Sequence, residues 1–135
     1  MAESPKTPLN ARTVMASLTV NRLDDSLRFF TGLGFEVEEK WEHEGVVQGA
    51  MLKAGQVRLG LSQDDGKKGK DRVKGTGMRL YIEAADDIDA VAARAKAAGV
   101  TLASEPKNTD WGSRAFDVTD PSGFLITITS PARSS

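Results

Sequence analysis

Few side chains in this chain are suited to catalysis or to metal binding. The 135 residues include a single histidine, His43, and no cysteine. One chain of this composition can form neither a disulfide nor a cysteine nucleophile, and it cannot offer two histidines to one metal ion. Eighteen basic and 19 acidic residues leave a net charge of −1, which gives no overall attraction to nucleic acid or to anionic lipid. We therefore expect no nucleic-acid partner.

The hydropathy of the chain is that of a protein outside the membrane. No apolar run approaches the roughly 18 residues that a membrane-spanning helix needs. The polar start of the chain also lacks the apolar segment of a secretion signal. We expect no membrane partner and a cytoplasmic location.

Carboxylates surround His43. The cluster consists of Glu36, Glu38, Glu39, Glu42 and Glu44. Carboxylates beside a histidine suit acid–base or metal chemistry, and His43 in a cleft would act as a proton carrier. A period of two instead places Glu36, Glu38, Lys40, Glu42 and Glu44 on one strand face, which is typical of a solvated edge that discourages aggregation. We favour the solvated edge.

The two tryptophans are candidates for ligand contact, because an indole ring can stack on a flat molecule and also donate a hydrogen bond. Trp111 lies beside Gly112 in a predicted loop, where it has little reason to pack in a core, and we expect it to contact a ligand. Trp41 alternates with Val37 in a predicted strand. We expect Trp41 in the core or in a dimer interface.

The elements that position these residues follow a β-α-β-β-β order in the first half. Alternation predicts a strand over Val14–Val20, and helical spacing predicts a helix that begins at Leu23, is capped by Asp24 and Asp25, and ends at Gly34. Three more strands are predicted at Phe35–Trp41, Val46–Lys53 and Gln56–Ser62.

The second half has the same order. A strand is predicted at Met78–Glu83 and a helix from about Asp87 to Ala98, closed by Gly99. Strands follow at Val100–Ser104, Ala115–Thr119 and Phe124–Thr129. Gly34 and Gly99 are 65 residues apart and Leu59 and Ile126 are 67 apart, so the two halves are copies of one unit that must share a surface.

The repeat divides the chain. We expect a flexible tail at residues 1–12, a first module at 13–62, a charged loop at 63–75, a second module at 76–130 and a tail at 131–135. The fold class is α+β, and both modules belong to one structural domain.

Six segments have a specific order and spacing. They are Leu18-Thr-Val-Asn-Arg-Leu-Asp-Asp-Ser-Leu-Arg-Phe-Phe, Gly32-Leu-Gly-Phe, Leu80-Tyr-Ile-Glu, Ala97-Ala-Gly-Val, Trp111-Gly-Ser-Arg-Ala-Phe and Asp120-Pro-Ser-Gly-Phe. Together they resemble the vicinal oxygen chelate superfamily, also called the glyoxalase/bleomycin resistance protein/dioxygenase superfamily. The resemblance implies two βαβββ modules and a homodimer with clefts formed between modules.

Strand parity then predicts which side chains line the cleft. If Leu18, Val20, Leu80 and Ile82 face the helices, the alternate residues of each strand face the opposite side. With Trp111 added, the predicted cleft residues are Met15, Ser17, Thr19, Arg58, Arg79, Tyr81, Glu83, Trp111 and Thr127. The alternative is that this side is simply the solvated face of an antiparallel sheet.

Metal-dependent members of that superfamily hold a divalent ion with four side chains. The resemblance places those positions here at Met15, Gly60, Gly77 or Arg79, and Thr127. Thioether sulfur is a soft ligand, glycine has no side chain, and a guanidinium has no lone pair to offer a cation. We therefore expect no metal and no other cofactor.

The chain is most similar to metal-free, bleomycin-resistance-like members. This implies a metal-independent protein that binds a small molecule, such as an antibiotic or an aromatic metabolite, and sequesters it. The alternative is a glyoxalase-like lyase or isomerase, or a dioxygenase, with an atypical site. Two other possibilities stay open: acid–base catalysis without metal by Arg79, Tyr81, Glu83 or His43, and an accessory protein that recognises a partner. No catalytic residue is assigned.

Overall fold

The computed structural model describes residues 7–132, and within that range the chain forms eight strands and two helices. The first module contains β1 (Ala16–Val20), α1 (Leu23–Leu33), β2 (Glu36–His43), β3 (Val46–Ala54) and β4 (Val57–Gln63). The second contains β5 (Arg79–Glu83), α2 (Ile88–Ala97), β6 (Leu102–Asn108), β7 (Arg114–Thr119) and β8 (Leu125–Thr129). The predicted pair of βαβββ modules is confirmed.

Each module folds into one four-stranded mixed sheet. The strand orders are β1-β4-β3-β2 and β5-β8-β7-β6. In both sheets the first strand pairs in parallel with the last, with Leu18 opposite Leu61 and Leu80 opposite Ile126. The other pairs are antiparallel. The equivalent registers confirm that the modules are structural copies.

The ends of α1 are set by a glycine and by a distant side chain. Gly34 adopts a φ of 113°, and its N–H donates to the carbonyl of Thr31 at 3.0 Å. At the other end, Arg22 is the N-cap residue and its side chain makes no capping hydrogen bond. The N–H of Leu23 instead donates to Oε1 of Gln63, at 2.9 Å. The predicted capping by Asp24 and Asp25 is therefore wrong, although both carboxylates lie in the first turn, where the helix dipole favours them.

The two modules share one core, because buried residues from both form a single cluster. Strands contribute Leu18, Val20, Leu59 and Ile126, and α1 and α2 contact each other beneath the sheets. A Cβ added at Gly32 of α1 would lie 2.8 Å from Cγ2 of Val100, three residues after the end of α2. Because side chains alternate along a strand, Ser17 and Thr19 of β1 and Arg79 and Tyr81 of β5 lie on the sheet faces turned away from this core; we call these the first and second outer faces.

A hydrogen bond between buried side chains joins the modules. Ser26 of α1 donates from Oγ to Oδ2 of Asp120, at 2.7 Å, and both residues are buried. Asp120 begins the turn between β7 and β8, where its Oδ1 accepts from the N–H of Ser122 at 2.8 Å. The Asp-Pro-Ser-Gly segment therefore fixes the second module against the first helix.

The charged segment between the modules is fixed at its base. Lys74 donates to Asp64 and both side chains are nearly buried. A Cβ at Gly75 would lie 2.9 Å from the carbonyl oxygen of Gly123, so the segment packs directly on the β7–β8 turn.

The first strand is shorter than predicted. Residues 7–15 form neither helix nor strand, and Val14 is exposed, so the predicted strand start at Val14 is wrong. The expectations for residues 1–6 and 133–135 lie outside the described residues. Within residues 7–132, no helix is long and apolar enough to cross a membrane.

Candidate functional site

The second outer face contains a depression of about 360 Å³. It brings together four of the predicted cleft residues, which are Arg79, Tyr81, Trp111 and Thr127. Ser104, Lys107, Asp110 and Asp117 also line it. Flat aromatic surface beside a few converging polar groups is typical of a small-molecule site.

One row of paired residues across the sheet builds the floor of this depression. Tyr81 of β5 lies opposite Thr127 of β8, Thr127 lies opposite Asp117 of β7, and Asp117 lies opposite Ser104 of β6. Since partners in register point to the same side of a sheet, all four side chains belong to the second outer face. The sequence predicted Tyr81 and Thr127 but missed Asp117 and Ser104.

A chain of hydrogen bonds runs along this row. The Arg79 guanidinium donates from one terminal nitrogen to Oγ1 of Thr127 at 3.3 Å. Thr127, only 3% exposed, donates in turn to Oδ1 of Asp117 at 2.6 Å. Ser104 donates from Oγ to Oδ2 of Asp117 at 3.0 Å. The carboxylate of Asp117 is thus held by two hydroxyl groups, and Arg79 is linked to it through Thr127.

Arg79 lies between this row and an aromatic ring. The central carbon of its guanidinium is 5.8 Å from the centre of the Tyr81 ring, within the range of a cation–π contact. The nearest guanidinium nitrogen is 3.9 Å from Oδ1 of Asp117, which is too long for a hydrogen bond. The side chain is 40% exposed, so part of the guanidinium faces the depression.

Trp111 lies at the rim of the depression on a tight loop. The hydroxyls of Thr109 and Ser113 hydrogen-bond to each other at 2.8 Å, and the N–H of Thr109 donates to the carbonyl of Ser113 at 2.8 Å. These bonds close the loop at its base and leave the indole at its tip 58% exposed. Trp111 lies in a loop, as predicted, and its contact with a ligand stays a prediction.

The remaining predicted cleft residues lie elsewhere. Ser17, Thr19 and Arg58 are exposed on the first outer face, and Met15 precedes β1. Glu83, at the end of β5, lines a separate groove of about 770 Å³ between the modules, together with Gln56 and Val57. The nine predicted positions therefore do not form one cleft in this chain: four line the depression, three lie on the first outer face, Met15 precedes β1 and Glu83 lines the groove.

Arg58 is already paired. Its guanidinium donates to both carboxylate oxygens of Glu38, at 2.9 and 3.1 Å. This bidentate hydrogen bonding lowers the pKa of Glu38 and raises the pKa of Arg58. Two of the five N–H donors of Arg58, and its positive charge, are therefore paired with Glu38.

Trp41 does not lie in the core, so the expected core position is wrong. Its alternative position, in a dimer interface, stays a prediction. The side chain is 40% exposed, and a Cβ at Gly49 would lie 2.3 Å from the indole ring. The indole thus occupies the space that a side chain at Gly49, its partner across β2 and β3, would need. A glycine paired with a tryptophan across two strands is the pattern that would have predicted this position of the indole.

The regular period of two also fails in β2. Register shifts occur between Val37 and Glu39 and between Trp41 and Glu42, so the predicted single face of Glu36, Glu38, Lys40, Glu42 and Glu44 is wrong. The strand is nevertheless exposed throughout and lies at the edge of its sheet, as the solvated-edge interpretation requires. His43 is exposed as well, with Nε2 3.9 Å from the carboxylate of Glu44.

The four positions that correspond to metal ligands in the superfamily do not form a suitable donor set. Arg79, one of the two residues that the resemblance allows at the second-module position, donates a hydrogen bond to Thr127. A guanidinium there repels a cation. Within residues 7–132, no three His, Asp or Glu side chains converge. The residues present do not fit a divalent ion.

The fold and this site correspond to a known family. A family model described as the Glyoxalase/Bleomycin resistance protein/Dioxygenase superfamily matches residues 12–128. The chain belongs to this superfamily, which is the one that its sequence segments resemble.

Solved structures have the same fold at low sequence identity. A bleomycin-binding protein complexed with bleomycin has a TM-score of 0.66 and 17% identity, over 90% of this chain and 99% of its own. TioX from Micromonospora sp. ML1 has a TM-score of 0.68 and 19% identity, over 92% of this chain and 99% of its own. A glyoxalase/bleomycin resistance protein/dioxygenase from Nocardioides has a TM-score of 0.68 and 19% identity, over 95% of this chain and 89% of its own. No curated protein sequence matches significantly.

Proposed function

We propose that this protein binds a flat small molecule, such as an antibiotic or an aromatic metabolite, without a metal ion, and sequesters it. The observation that carries the proposal is the depression on the second outer face, where Tyr81 and Trp111 expose aromatic surface beside the polar row of Thr127 and Asp117. A bleomycin complex of a protein with this fold supports the same kind of ligand.

The donor set supports binding over metal-dependent chemistry. Lyase, isomerase and dioxygenase reactions in this superfamily use a divalent ion to polarise oxygen atoms. The resemblance puts Thr127 at one ligand position, Gly77 or Arg79 at another, and Gly60, which has no side chain, at a third. We therefore favour a binding protein over an enzyme with an atypical site.

We also propose that two copies of the chain pair, so that an outer face of each contributes to a cleft. β1 and β5 lie at the edges of their sheets. Met15, Trp41 and Tyr81 are large apolar side chains exposed on or beside the outer faces. A second copy would cover both features, and analytical ultracentrifugation would measure the resulting mass.

Single-tryptophan variants test the proposed ligand site. Trp41→Phe leaves Trp111 as the one indole, and Trp111→Phe leaves Trp41. We expect bleomycin or a naphthalene derivative, added in the presence of EDTA, to quench the emission of Trp41→Phe and to leave that of Trp111→Phe nearly unchanged. Calorimetry of the wild-type protein would give the stoichiometry.

Two results would contradict the proposal. One is the absence of heat and quenching with every compound at millimolar concentration. The other is binding that appears only after Mn²⁺, Ni²⁺ or Zn²⁺ is added, since this would show that a metal completes the site.

A further inference from the structure

The Arg79 guanidinium has hydrogen-bonding capacity that the protein does not use. A guanidinium carries five N–H donors in a planar fork. Among the described residues, Arg79 makes one side-chain hydrogen bond, the 3.3 Å contact with Thr127. Since the side chain is 40% exposed towards the depression, the remaining donors are available to a bound molecule.

The carboxylates nearby do not take up this capacity. Asp117 accepts from Thr127 and from Ser104, one hydroxyl on each oxygen. Its 3.9 Å separation from Arg79 leaves a charge contact without a hydrogen bond. Asp110 also lines the depression and carries the same charge as an anionic ligand, while Lys107 lines it with the opposite charge. The unsatisfied groups at the floor are therefore donors.

Aromatic surface flanks these donors on two sides. Tyr81 lies beneath the guanidinium, and Trp111 stands at the rim. A guanidinium fork matches the two oxygens of a carboxylate, and charge-assisted pairs of this type are about twice as strong as neutral hydrogen bonds. Flat aromatic rings stack on indole and phenol rings.

We propose that the ligand of this site is an aromatic acid, whose carboxylate pairs with Arg79 and whose ring lies against Tyr81 or Trp111. This inference rests on the proposed function and narrows it to one ligand class. Thr127 is a positioning residue, because it joins Arg79 to the fixed carboxylate of Asp117 and so holds the fork at the floor of the depression.

Three probes of the same size and different charge test the inference. Naphthoate is the acid, naphthylmethanol is the neutral analogue, and naphthylmethylamine is the cation. We expect the wild-type protein to bind naphthoate about 10-fold or more tightly than naphthylmethanol, as a charge-assisted hydrogen bond of the usual strength implies, and naphthylmethylamine most weakly. Backbone amide shifts in NMR titrations would give the three dissociation constants and locate the probes.

The substitution of Arg79 identifies the source of the preference. Arg79→Gln should weaken naphthoate binding about 10-fold or more relative to naphthylmethanol binding and so remove the preference, while Arg79→Lys, which keeps the charge but not the fork, should retain part of it. Arg94→Gln on α2 is the matched control, since Arg94 pairs with Asp86 away from the depression. Circular dichroism would show that each variant is folded.

The outcomes separate the inference from the proposed function. Equal affinities for the three probes, or a naphthoate preference that survives Arg79→Gln, would overturn the inference and leave the binding site itself in place. If none of the probes binds at millimolar concentration, both are overturned.

Discussion

The two outer faces belong to equivalent modules, but their arginines have different hydrogen-bond partners. Arg58 on the first face is bound by both oxygens of Glu38, while Arg79 on the second makes one long hydrogen bond to Thr127. An arginine whose charge is paired with a carboxylate in bidentate geometry attracts an anionic ligand less than one without such a partner. How an arginine is paired, and not only its position on a sheet, therefore decides how strongly it attracts an anion.

A second difference lies in the last strand of each module, at a residue that pairs with the first strand. On the first face Ser17 lies opposite Gly60, and on the second Tyr81 lies opposite Thr127. Because glycine has no side chain, the row on the first face is interrupted. The threonine instead extends a hydrogen-bonded row to Asp117. The second face is therefore polar and ordered at its centre.

The largest change in stability is expected when the contact between the two modules is removed, because this contact fixes the position of one outer face relative to the other. Asp120→Ala removes a nearly buried carboxylate and leaves Ser26 without its acceptor. We expect a loss of about 3 kcal/mol in the free energy of unfolding, measured by urea denaturation. Asp110→Ala, at an exposed position, should cost less than about 0.5 kcal/mol. Equal losses in the two variants would contradict this role for Asp120.

The next largest change in stability is expected from a substitution on the first outer face. Gly49→Val would place side-chain atoms where the Trp41 indole lies, since even a Cβ would come within 2.3 Å of the ring. We expect a loss of about 2 kcal/mol in unfolding free energy and a change in Trp41 emission. Gly60→Ala is the matched control, because its Cβ would meet Ser17 at an ordinary 3.5 Å. A stable Gly49→Val protein with unaltered emission would show that the indole does not lie there.

A smaller effect should appear on the second face. Thr127→Val keeps the shape of the side chain but removes the donor to Asp117 and the acceptor for Arg79. We expect a loss of about 1–2 kcal/mol in unfolding free energy, because a partly buried carboxylate oxygen loses its partner. Thr19→Val, at an exposed position on the first face, should change it by less than about 0.5 kcal/mol. The same loss at both positions would remove the distinction between the faces.

Asp120 should also make stability depend on pH. Burial raises the pKa of Asp120, and the hydrogen bond from Ser26 opposes this only in part. The folded protein therefore holds the Asp120 proton to higher pH than the unfolded chain does, so this group's contribution to stability is greatest below the ordinary aspartate pKa and is lost as pH rises through the raised value. Asp120→Asn should remove that part of the pH dependence. An unchanged profile from urea unfolding between about pH 3 and 7 would contradict it.

The smallest effect should come from the exposed pair on the first face. Hydrogen bonds from Arg58 lower the pKa of Glu38, so the pair contributes to stability above the ordinary glutamate pKa and loses that contribution as pH falls through the lowered value. Arg58→Gln should return the pKa of Glu38 to its ordinary range, as measured by NMR titration of its carboxyl carbon. The free energy of unfolding should hardly change, because exposed ion pairs contribute little.

Much of the fold was predictable because its signals are local. The alternation of Leu18 and Val20 with Ser17 and Thr19, and Gly34 at the end of a helix, follow from backbone geometry that a few residues determine. The start of β1 was not predictable from Val14, whose apolar side chain continues the pattern but is exposed. The cap of α1 was not predictable either, because Gln63 comes from 40 residues further along the chain.

The candidate site was predictable only in part, and for a related reason. Strand parity placed Arg79, Tyr81 and Thr127 on one face, and the structure brings them together with Trp111. Strand parity could not predict that Arg58 hydrogen-bonds to Glu38, because the register shift in β2 decides which glutamate lies next to Arg58.

The sequence by itself determined the order of the elements, their repetition and the side of each strand that faces the helices, because alternation and helical periodicity act between near neighbours in the chain. Only the tertiary structure decided which polar groups are paired. Thr127, Asp117 and Ser104 form one row because three different strands are held in register. Hydrogen bonds between strands fix that register, and they leave Arg79 with donors to spare on one face while Arg58 has its carboxylate on the other.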